Sequence, residues 1–301
     1  MYLRDGLSGA YAPVGVYDHS LPGPCNRMHP LYEGFLTLGV PTLRRCAQSD
    51  SEWVTVDEIG YLEVGCDQYL NALLALFDAK RVACAVRKQA LPFLQALQTR
   101  DDVLTVDLDD PYGDIGCVVM ASGLSKRFGQ NKLLADFGGR PVIERVLDAT
   151  EGIFAKRAVI TRSREVAALC EARCVSTVLH ELPYRSDTVR LGLQAVEGVG
   201  RCMFCAADQP LLRRETVAAL ALASADAPNA VWRPACAGVP GTPVTFPQWA
   251  FEALSRLPEG KGGGAVIAQY PDRVRTLEIQ DARELRDVDT PTDLDELLQY
   301  V

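Results

Sequence analysis

The chain has 301 residues, of which 48% are hydrophobic, 23% charged and 7% aromatic. A length about twice the ~150 residues of an average domain favours two domains, and the near-average composition excludes disordered, collagen-like and coiled-coil proteins. The 31 Lys and Arg against 39 Asp and Glu give a formal net charge of -8. A nucleic-acid partner is not expected, because a phosphate backbone binds broad basic surfaces.

The amino-terminal residues MYLRDGLSGAYAPVG contain no apolar signal-peptide core, and no apolar run approaches the ~18 residues of a membrane span. The ten cysteines are too few for a disulfide scaffold of this length, which favours reduced, buried thiols. Cys202 and Cys205 form a C-x-x-C in an apolar run, where residues i and i+3 point to opposite faces and favour core packing over a metal site. We therefore expect a cytoplasmic protein with no membrane partner.

The first part of the chain alternates apolar runs with segments of helical period, a pattern typical of an α/β domain. Strands are predicted at Trp53–Val56, Arg81–Val86 and Val103–Val106, with helices at Cys66–Phe77 and Gln89–Gln98 between them. The acidic, turn-rich stretch LDDPYGD then interrupts the pattern. We place a domain boundary near Gly113, so that residues 1–112 form a smaller α/β domain.

One strand of this first domain ends in a pair of acidic residues. The segment EWVTVDEIGYLE, residues 52–63, contains Asp57 and Glu58 at the end of an apolar strand, an arrangement that holds Mg²⁺ and a water molecule beside a P-loop nucleotide. It resembles the Asp-Glu-Ile-Gly strand of P-loop nucleoside triphosphatases, a family that opens with a phosphate-binding glycine loop and its lysine. Gly6 and Gly9 do not supply that lysine. The resemblance implies a degenerate or truncated P-loop-type module, and independent ATP hydrolysis would require a true start upstream.

The second part continues the alternation and predicts a larger domain over residues 113–301. Its strands are predicted at Ile115–Ala121, Ala158–Thr161, Val175–Leu179, Cys202–Ala206, Ala230–Arg233 and Val274–Ile279. Its helices are predicted at Pro141–Ala149, Arg164–Glu171, Asp187–Glu197, Glu215–Ala223 and Gln248–Leu257. Right-handed crossovers in this βαβα order predict a doubly wound, Rossmann-like parallel sheet, in which ligands bind beyond the carboxyl ends of the strands.

The strongest chemical signal is the loop MASGLSKRFGQNK, which follows the first strand of this domain and ends at Lys132. Small residues, which let a backbone approach a ligand and present successive N–H groups to phosphate oxygens, stand at Ala121, Ser122 and Gly123. Lys126, Arg127 and Lys132 concentrate positive charge that would stabilise a polyphosphate during its cleavage. The loop matches neither the P-loop nor the dinucleotide pattern, and a solvated basic loop is the alternative.

The spacing Gly123-x-Ser125-x-Arg127-x-Gly129-x-x-Lys132 resembles the signature loop of MobA-like nucleotidyltransferases, in particular molybdenum cofactor cytidylyltransferases. Further segments match that family in its order: YRSDTVRLGL from Tyr184, CAADQPLL from Cys205, GTPV from Gly241 and DVDTPTDL from Asp287. The resemblance runs from about Ile115 to the carboxyl terminus and implies a Rossmann-like nucleotidyltransferase domain. Ser122 departs from the family pattern, because Ala or Gly is usual at this position.

Acidic residues are the candidate metal ligands. Asp208 stands at the carboxyl end of a predicted strand, where a buried carboxylate is costly unless it meets a cation. Mg²⁺ suits this position, because it binds one or two carboxylates together with phosphates. The resemblance adds Asp287 and Asp289, and since they alternate along a short extended segment we expect one of them, Asp289 slightly favoured, to face Asp208. Helix capping is the alternative role of Asp208, while Pro291 and Asp293 are interpreted as structural.

The resemblance implies transfer of a cytidylyl group from CTP to molybdopterin, with Mg²⁺ as cofactor and pyrophosphate as product. Its catalytic residues would be Arg127, with the backbone of residues 123–125, at the β- and γ-phosphates, Lys132 near the α-phosphate, and Asp208 at the metal. The residues implied to bind substrate are Ala121, Ser122, Gly123, Ser125, Ser186, Thr188, Gly192, Gly241 and Thr242. Helix capping is the alternative role of Ser186, and Gly192 would allow close packing.

The sequence leaves alternatives for the nucleotide, for the acceptor and for catalysis itself. GTP could replace CTP, because single hydrogen bonds decide the choice of base. The acceptor could be a sugar or polyol phosphate, and a noncatalytic carrier or chaperone of the cofactor would need a similar site. A molybdenum hydroxylase apoenzyme is the protein partner that the leading interpretation implies.

Overall fold

A computed structural model describes residues 1–21 and 27–301. The chain divides between Leu104 and Thr105 into two compact units. The boundary expected near Gly113 lies within the irregular segment that follows this division. Each unit has its own hydrophobic core.

The first unit begins with short antiparallel pairs, β1 (Tyr2–Arg4) with β2 (Tyr11–Pro13) and β3 (Gly15–Tyr17) with β4 (Met28–Pro30). A continuous helical stretch follows, made of α1 (Tyr32–Gly34), a π-helical turn (Phe35–Gly39) and α2 (Val40–Gln48). The α/β part comprises β5 (Trp53–Ile59), α3 (Asp67–Ala79), β6 (Arg81–Val86) and α4 (Pro92–Gln98). The predicted strands at residues 53–56 and 81–86 are confirmed, and they pair in parallel.

One helix start in this unit and one strand at its end are predicted wrongly. The helix expected from Gln89 begins at Pro92, because proline lacks the backbone N–H and leaves the residue before it extended, as Leu91 is. The strand expected at Val103–Val106 does not form, and Leu104 is 54% exposed. A short apolar run that is not buried against a sheet gains too little from strand pairing to become one.

A sheet of eight strands within the described residues forms the centre of the second unit. Its strands are β7 (Ile115–Ala121), β8 (Lys156–Thr161), β9 (Ser176–Leu179), β10 (Arg201–Ala206), β11 (Val231–Cys236), β12 (Val239–Pro240), β13 (Val244–Pro247) and β14 (Val274–Glu278). Its main order is β12-β11-β13-β10-β7-β8-β9, and β14 pairs with β11. The pairs β10–β7, β7–β8, β8–β9 and β11–β14 are parallel.

Helices separate these strands along the chain. They are α5 (Val142–Ala149), α6 (Arg164–Ala172), α7 (Arg185–Ala195), α8 (Arg214–Asp226), α9 (Phe251–Ser255), α10 (Gly264–Gln269) and α11 (Pro291–Leu298). The predicted α/β fold with a mainly parallel, Rossmann-like sheet is confirmed. The strict βαβα order is wrong after β11, because β12 and β13 follow it with no helix between them; β12 runs antiparallel to β11, and β13 runs antiparallel to both β10 and β11. Its four residues end at Pro247 and are too few to show a period in the sequence.

The core lies on both faces of the sheet. Cys205 belongs to the cluster that packs against α5 and α8, whereas Cys202 belongs to the cluster that packs against α7 and α9. Both side chains have no exposed surface. The prediction that the C-x-x-C pair points to opposite faces of a buried strand is therefore confirmed. Burial raises the pKa of the Cys202 thiol well above the ordinary value, and the contact with the Cys117 thiol, followed by burial, does the same for Cys205.

The parallel strands β10, β7, β8 and β9 bring four connecting segments to one edge of the sheet. These segments begin at Ser122 after β7, Arg162 after β8, His180 after β9 and Ala207 after β10. Ligands of open α/β sheets bind at such an edge. Within the described residues, no helix is both long and apolar enough to cross a membrane.

Candidate active site

The loop after β7 is folded by its own backbone. Ser125 has a φ of +50° and Gly129 a φ of +83°, so the chain makes left-handed turns at both positions. The Ser125 carbonyl accepts a hydrogen bond from the Phe128 N–H at 2.9 Å. The Ser125 hydroxyl accepts a second one, from the Lys132 N–H, at 3.2 Å. Phe128 anchors the loop in the core. Together these contacts hold Lys132 at the beginning of a short 3₁₀ helix, Lys132–Leu134.

The Lys132 ammonium lies between two carboxylates from distant parts of the chain. Its Nζ is 2.5 Å from Oδ2 of Asp208 and 2.9 Å from Oδ1 of Asp289. Arg127 binds the other oxygen of Asp289, with Nη2 and Oδ2 separated by 2.7 Å. The loop and the acidic strand end therefore face each other across one cleft, as the sequence predicts.

Burial and neighbouring charges shift the pKa of Lys132, which is 8% exposed, in opposite directions. Burial is the largest influence and lowers the pKa of its ammonium, but the charges and hydrogen bonds of Asp208 and Asp289 together raise it above the ordinary value. The hydrogen bond from Lys132 is the main cause that lowers the pKa of Asp289, and Arg127 adds to it. Lys132 and Asp289 are therefore both charged at neutral pH.

Asp208 and Asp289 are brought together by backbone contacts. The Asp208 carbonyl accepts a hydrogen bond from the Val288 N–H at 2.9 Å, which ties the end of β10 to the segment before α11. Asp293 accepts hydrogen bonds from the N–H groups of Thr290 and Asp289 at 2.7 and 3.0 Å, so its predicted structural role is that of a capping-box residue. The helix-cap alternative for Asp208 is wrong, because α8 begins at Arg214 with Arg213 as its cap.

Asp287 and Asp289 both line the cleft, whereas the sequence analysis expected one of them to face Asp208. That expectation is wrong, because residues i and i+2 of an extended segment share a face. Val288 between them is fully buried on the other side. Asp287 is exposed as a whole residue, yet desolvation of its carboxyl group, followed by the nearby charge of Asp208, raises its pKa to about 6.

The cleft has a volume of about 570 Å³. Of the predicted site residues it is lined by Ser122, Gly123, Ser125, Arg127, Lys132, Thr188, Asp208, Asp287 and Asp289. Ala121, Ser186, Gly192, Gly241 and Thr242 lie outside this lining. The structure therefore brings together every residue predicted to be catalytic or to bind metal, and four of the nine residues predicted to bind substrate.

Packing explains two of the residues outside the lining. A Cβ atom at Gly192 would lie 2.5 Å from Cγ1 of Val118, so this glycine allows α7 to approach β7 closely. A Cβ atom at Gly241 would lie 2.8 Å from Cδ1 of Leu285. The capping alternative for Ser186 is wrong, because α7 begins at Arg185 with Tyr184 as its cap.

Arg162 and a wall formed by residues 182–184 also line the cleft. Tyr184 begins the matched segment YRSDTVRLGL, whereas Arg162, Leu182 and Pro183 were not among the predicted residues. His180, which was not predicted as a residue of this site either, contacts the Ser122 hydroxyl and the Leu182 backbone N–H with its ring. A signal for both Arg162 and His180 was present in the sequence. Each follows directly after a predicted strand of the parallel sheet, at the edge where ligands bind.

The carboxylates suit a divalent cation held jointly with phosphates. The Lys132 ammonium shows that a positive charge fits between Asp208 and Asp289. In residues 1–21 and 27–301, no group of three or more His, Cys, Asp or Glu residues is arranged to hold a metal ion. One or two carboxylates with ligand oxygens completing the shell match the preference of Mg²⁺.

A Rossmann-like sheet with a basic loop facing acidic strand ends defines an α/β nucleotidyltransferase domain. The family model of the MobA-like NTP transferase domain matches residues 117–274, more than half of the chain. The chain therefore belongs to the MobA-like NTP transferase family.

Individual relatives agree with this assignment. A probable molybdenum cofactor guanylyltransferase of Aquifex aeolicus (strain VF5) is 32% identical over 102 residues, which are 34% of this chain and 49% of the relative. The chain thus matches about half the length of that curated relative. The crystal structure of Rv0371c from Mycobacterium tuberculosis H37Rv has a TM-score of 0.56 at 25% identity and covers 62% of this chain and 100% of its own. A structure of Rv0371C with manganese has a TM-score of 0.53 at 23% identity, covering 62% of this chain and 100% of its own.

Proposed function

We propose that this protein transfers a cytidylyl group from CTP to the terminal phosphate of a molybdopterin-type acceptor and releases pyrophosphate. The observation that carries the proposal is the Lys132 ammonium held between Asp208 and Asp289 at the carboxyl edge of the sheet, beside Arg127. This arrangement supplies cations for a triphosphate and carboxylates for its divalent ion in one cleft. A solvated basic loop would not require a lysine that is 8% exposed.

In the proposed reaction an oxygen of the acceptor phosphate forms a bond to the α-phosphorus of the nucleotide. The bond from that phosphorus to the bridging oxygen breaks, and pyrophosphate leaves with the electron pair. The nucleophile is already an anion at neutral pH, so the enzyme needs to position and neutralise the reactants and needs no general base. Arg127 and the backbone of residues 123–125 bind the β- and γ-phosphates, and Lys132 neutralises charge near the α-phosphate.

Asp208, together with Asp289 or Asp287, would hold Mg²⁺. The bound ion would neutralise phosphate oxygens and help to align them. The manganese complex of the mycobacterial structure supports a divalent ion as cofactor in this fold. Binding of the nucleotide would also release Lys132 and Arg127 from their carboxylate partners, because phosphates then compete for both cations.

GTP is the second candidate for the nucleotide. The name of the Aquifex relative, a probable guanylyltransferase, favours it, while the loop and segment pattern resembles cytidylyltransferases. The same relative supports molybdenum cofactor as the acceptor. Delivery of the product to a molybdenum hydroxylase apoenzyme is the partner interaction that follows from this proposal.

Pyrophosphate release from CTP or GTP, with molybdopterin or a sugar phosphate as acceptor, tests the proposal. We expect turnover with CTP and molybdopterin, and a loss of about 10²- to 10³-fold in Asp208→Ala, the scale of removing one transition-state stabiliser. Asp226→Asn is the matched control, since this exposed residue lies at the end of α8. Turnover with GTP instead selects guanylyl transfer. A protein that binds the dinucleotide product and releases no pyrophosphate is a carrier, which contradicts the proposal.

A further inference from the structure

The side chain of His180 connects the carboxyl ends of three neighbouring strands. His180 follows β9 and is 9% exposed. Its Nε2 is 2.8 Å from Oγ of Ser122, the first residue after β7. The Ser122 hydroxyl also lies 2.9 Å from the carbonyl oxygen of Ile160 in β8. On the other side of the ring, Nδ1 is 3.2 Å from the backbone nitrogen of Leu182.

These partners define one protonation state of the ring. The Leu182 N–H is a donor, so Nδ1 must accept and carries no proton. Nε2 therefore carries the proton and donates to Ser122, whose own hydroxyl donates to the Ile160 carbonyl. The neutral ring satisfies every member of this chain. Burial, and then the charge of Arg162, lower the pKa of His180, which agrees with a neutral ring.

Both ends of the hydrogen-bonded chain reach the wall of the cleft. Ser122 and Gly123 begin the phosphate loop, and Leu182, Pro183 and Tyr184 form another part of the lining that leads into α7. We propose that His180 is a positioning residue for the nucleoside triphosphate, because it fixes the distance between the phosphate loop and the wall of residues 182–184. This inference rests on the proposed function. It concerns a pair that the family resemblance does not supply, since Ser122 stands where Ala or Gly is usual.

The role predicts a particular kinetic effect. The hydrogen-bonded chain supports two walls of the cleft, while the proposed contacts of the reacting phosphorus come from Lys132 and Asp208. Loss of these hydrogen bonds should therefore raise KM for the nucleotide and leave kcat nearly unchanged. A residue that acted in the chemical step would lower kcat.

Three variants separate the two hydrogen bonds of the ring. His180→Asn keeps an acceptor near the position of Nδ1 for Leu182 and loses the bond to Ser122. His180→Gln keeps a donor near the position of Nε2 for Ser122 and loses the bond to Leu182. Ser122→Ala removes the shared hydroxyl. We expect His180→Asn to raise KM about five- to tenfold, the effect of one lost hydrogen bond between neutral groups, and Ser122→Ala to raise it at least as much, because it also loses the bond to the Ile160 carbonyl.

The double variant His180→Asn with Ser122→Ala provides the decisive comparison. Both changes break the His180–Ser122 bond, and Ser122→Ala also removes the bond to the Ile160 carbonyl, so KM of the double variant should equal that of Ser122→Ala within about twofold. Multiplication of the two effects, or a fall in kcat of tenfold or more, would overturn the inference. Thermal unfolding of each variant is measured in parallel, and an unchanged Tm shows that KM reports on the folded cleft.

A spectroscopic measurement keeps the inference separate from the proposed function. The chain has three histidines, so ¹⁵N-labelled imidazole signals of His180 can be assigned by comparison with His180→Gln. We expect the neutral Nε2–H tautomer at pH 7, and a shift of the Nε2 signal in Ser122→Ala. A cationic ring or an Nδ1–H tautomer contradicts the hydrogen-bonded chain. If the wild type binds neither CTP nor GTP while the tautomer is as expected, the proposed function fails and the nucleotide role of His180 fails with it.

Discussion

Lys132 illustrates how single residues make this site possible. A buried ammonium is costly in a protein interior unless opposite charges compensate for its lost hydration. Asp208 and Asp289 provide that compensation, and their own proximity is tolerated because the ammonium lies between them. Each charge of the site is thus stable because of its neighbours. We therefore expect the loss of any one of them to affect both stability and ligand binding.

Replacing Lys132 by Met should lower turnover about 10²- to 10³-fold, because a cation near the developing charge is lost. The same variant should have a lower Tm, since Asp208 and Asp289 lose their shared partner. Pyrophosphate release and differential scanning calorimetry measure the two effects. Lys156→Met is the control, because Lys156 begins β8 at the opposite edge of the sheet. Wild-type turnover in Lys132→Met would exclude the assigned role.

The raised pKa of Asp287 predicts that metal binding depends on pH. Its pKa is raised to about 6, so the carboxylate is mainly ionised at pH 7 and mainly protonated at pH 5. Divalent ion affinity in the presence of nucleotide should therefore fall as the pH is lowered from 7 to 5. Titration of Mn²⁺ by electron paramagnetic resonance measures it. Asp287→Asn should bind Mn²⁺ more weakly at pH 7 and show a flatter pH profile; an unchanged profile would argue that another group is responsible.

At the scale of elements, close packing between α7 and β7 positions the two sides of the cleft. Gly192 in α7 faces Val118 in β7, and the absence of a Cβ atom in glycine is what permits this approach. Ser186, Thr188 and Val189 of the same helix are buried. The start of α7, which carries Thr188 into the cleft, is therefore held by the sheet.

Gly192→Ala should lower the free energy of unfolding by about 1–3 kcal/mol, because the new methyl group overpacks the contact with Val118. Urea unfolding measures the change. A second substitution, Val118→Ala, makes room for the methyl group and should recover part of the stability lost in Gly192→Ala. If Gly192→Ala raised KM for the nucleotide at unchanged stability, the glycine would act in ligand binding and the packing explanation would be wrong.

At the scale of the whole molecule, the cleft belongs to one unit. Every residue that lines it lies between Met120 and Asp289, within the unit Thr105–Val301. The first unit has a separate hydrophobic core, and its role as a degenerate P-loop-type module stays a prediction. Asp57 and Glu58 of that predicted module lie in β5.

We expect a fragment of residues 105–301 to fold and to bind nucleotide with an affinity within about threefold of the full chain, because it contains the complete sheet and cleft. Isothermal titration with CTP and GTP in the presence of Mg²⁺ compares the two proteins. Circular dichroism of the fragment confirms that it is folded. A folded fragment that lost binding more than tenfold would show that the first unit contributes to the site.

Local pattern accounts for most of the elements and for the phosphate half of the cleft. Strands such as Ile115–Ala121 are visible because parallel strands buried on both faces are continuous apolar runs. Lys132 and Asp208 could be placed together because Lys132 ends the loop that follows one such strand, and Asp208 follows the carboxyl end of another. Strand β13 and the failed strand at 103–106 were not predictable in this way, since short runs become strands through pairing partners that are distant in sequence.

The amino-acid sequence by itself determined the class of fold, the basic loop and the acidic strand ends, because these depend on residue type and on spacing along the chain. Tertiary structure alone decided that Asp287 and Asp289 both line the cleft and that Lys132 lies between Asp208 and Asp289. It also decided that Arg162 and the wall of residues 182–184 complete the site. These relations join residues far apart in sequence. Their energies come from burial and charge neutralisation, which exist once the chain has folded.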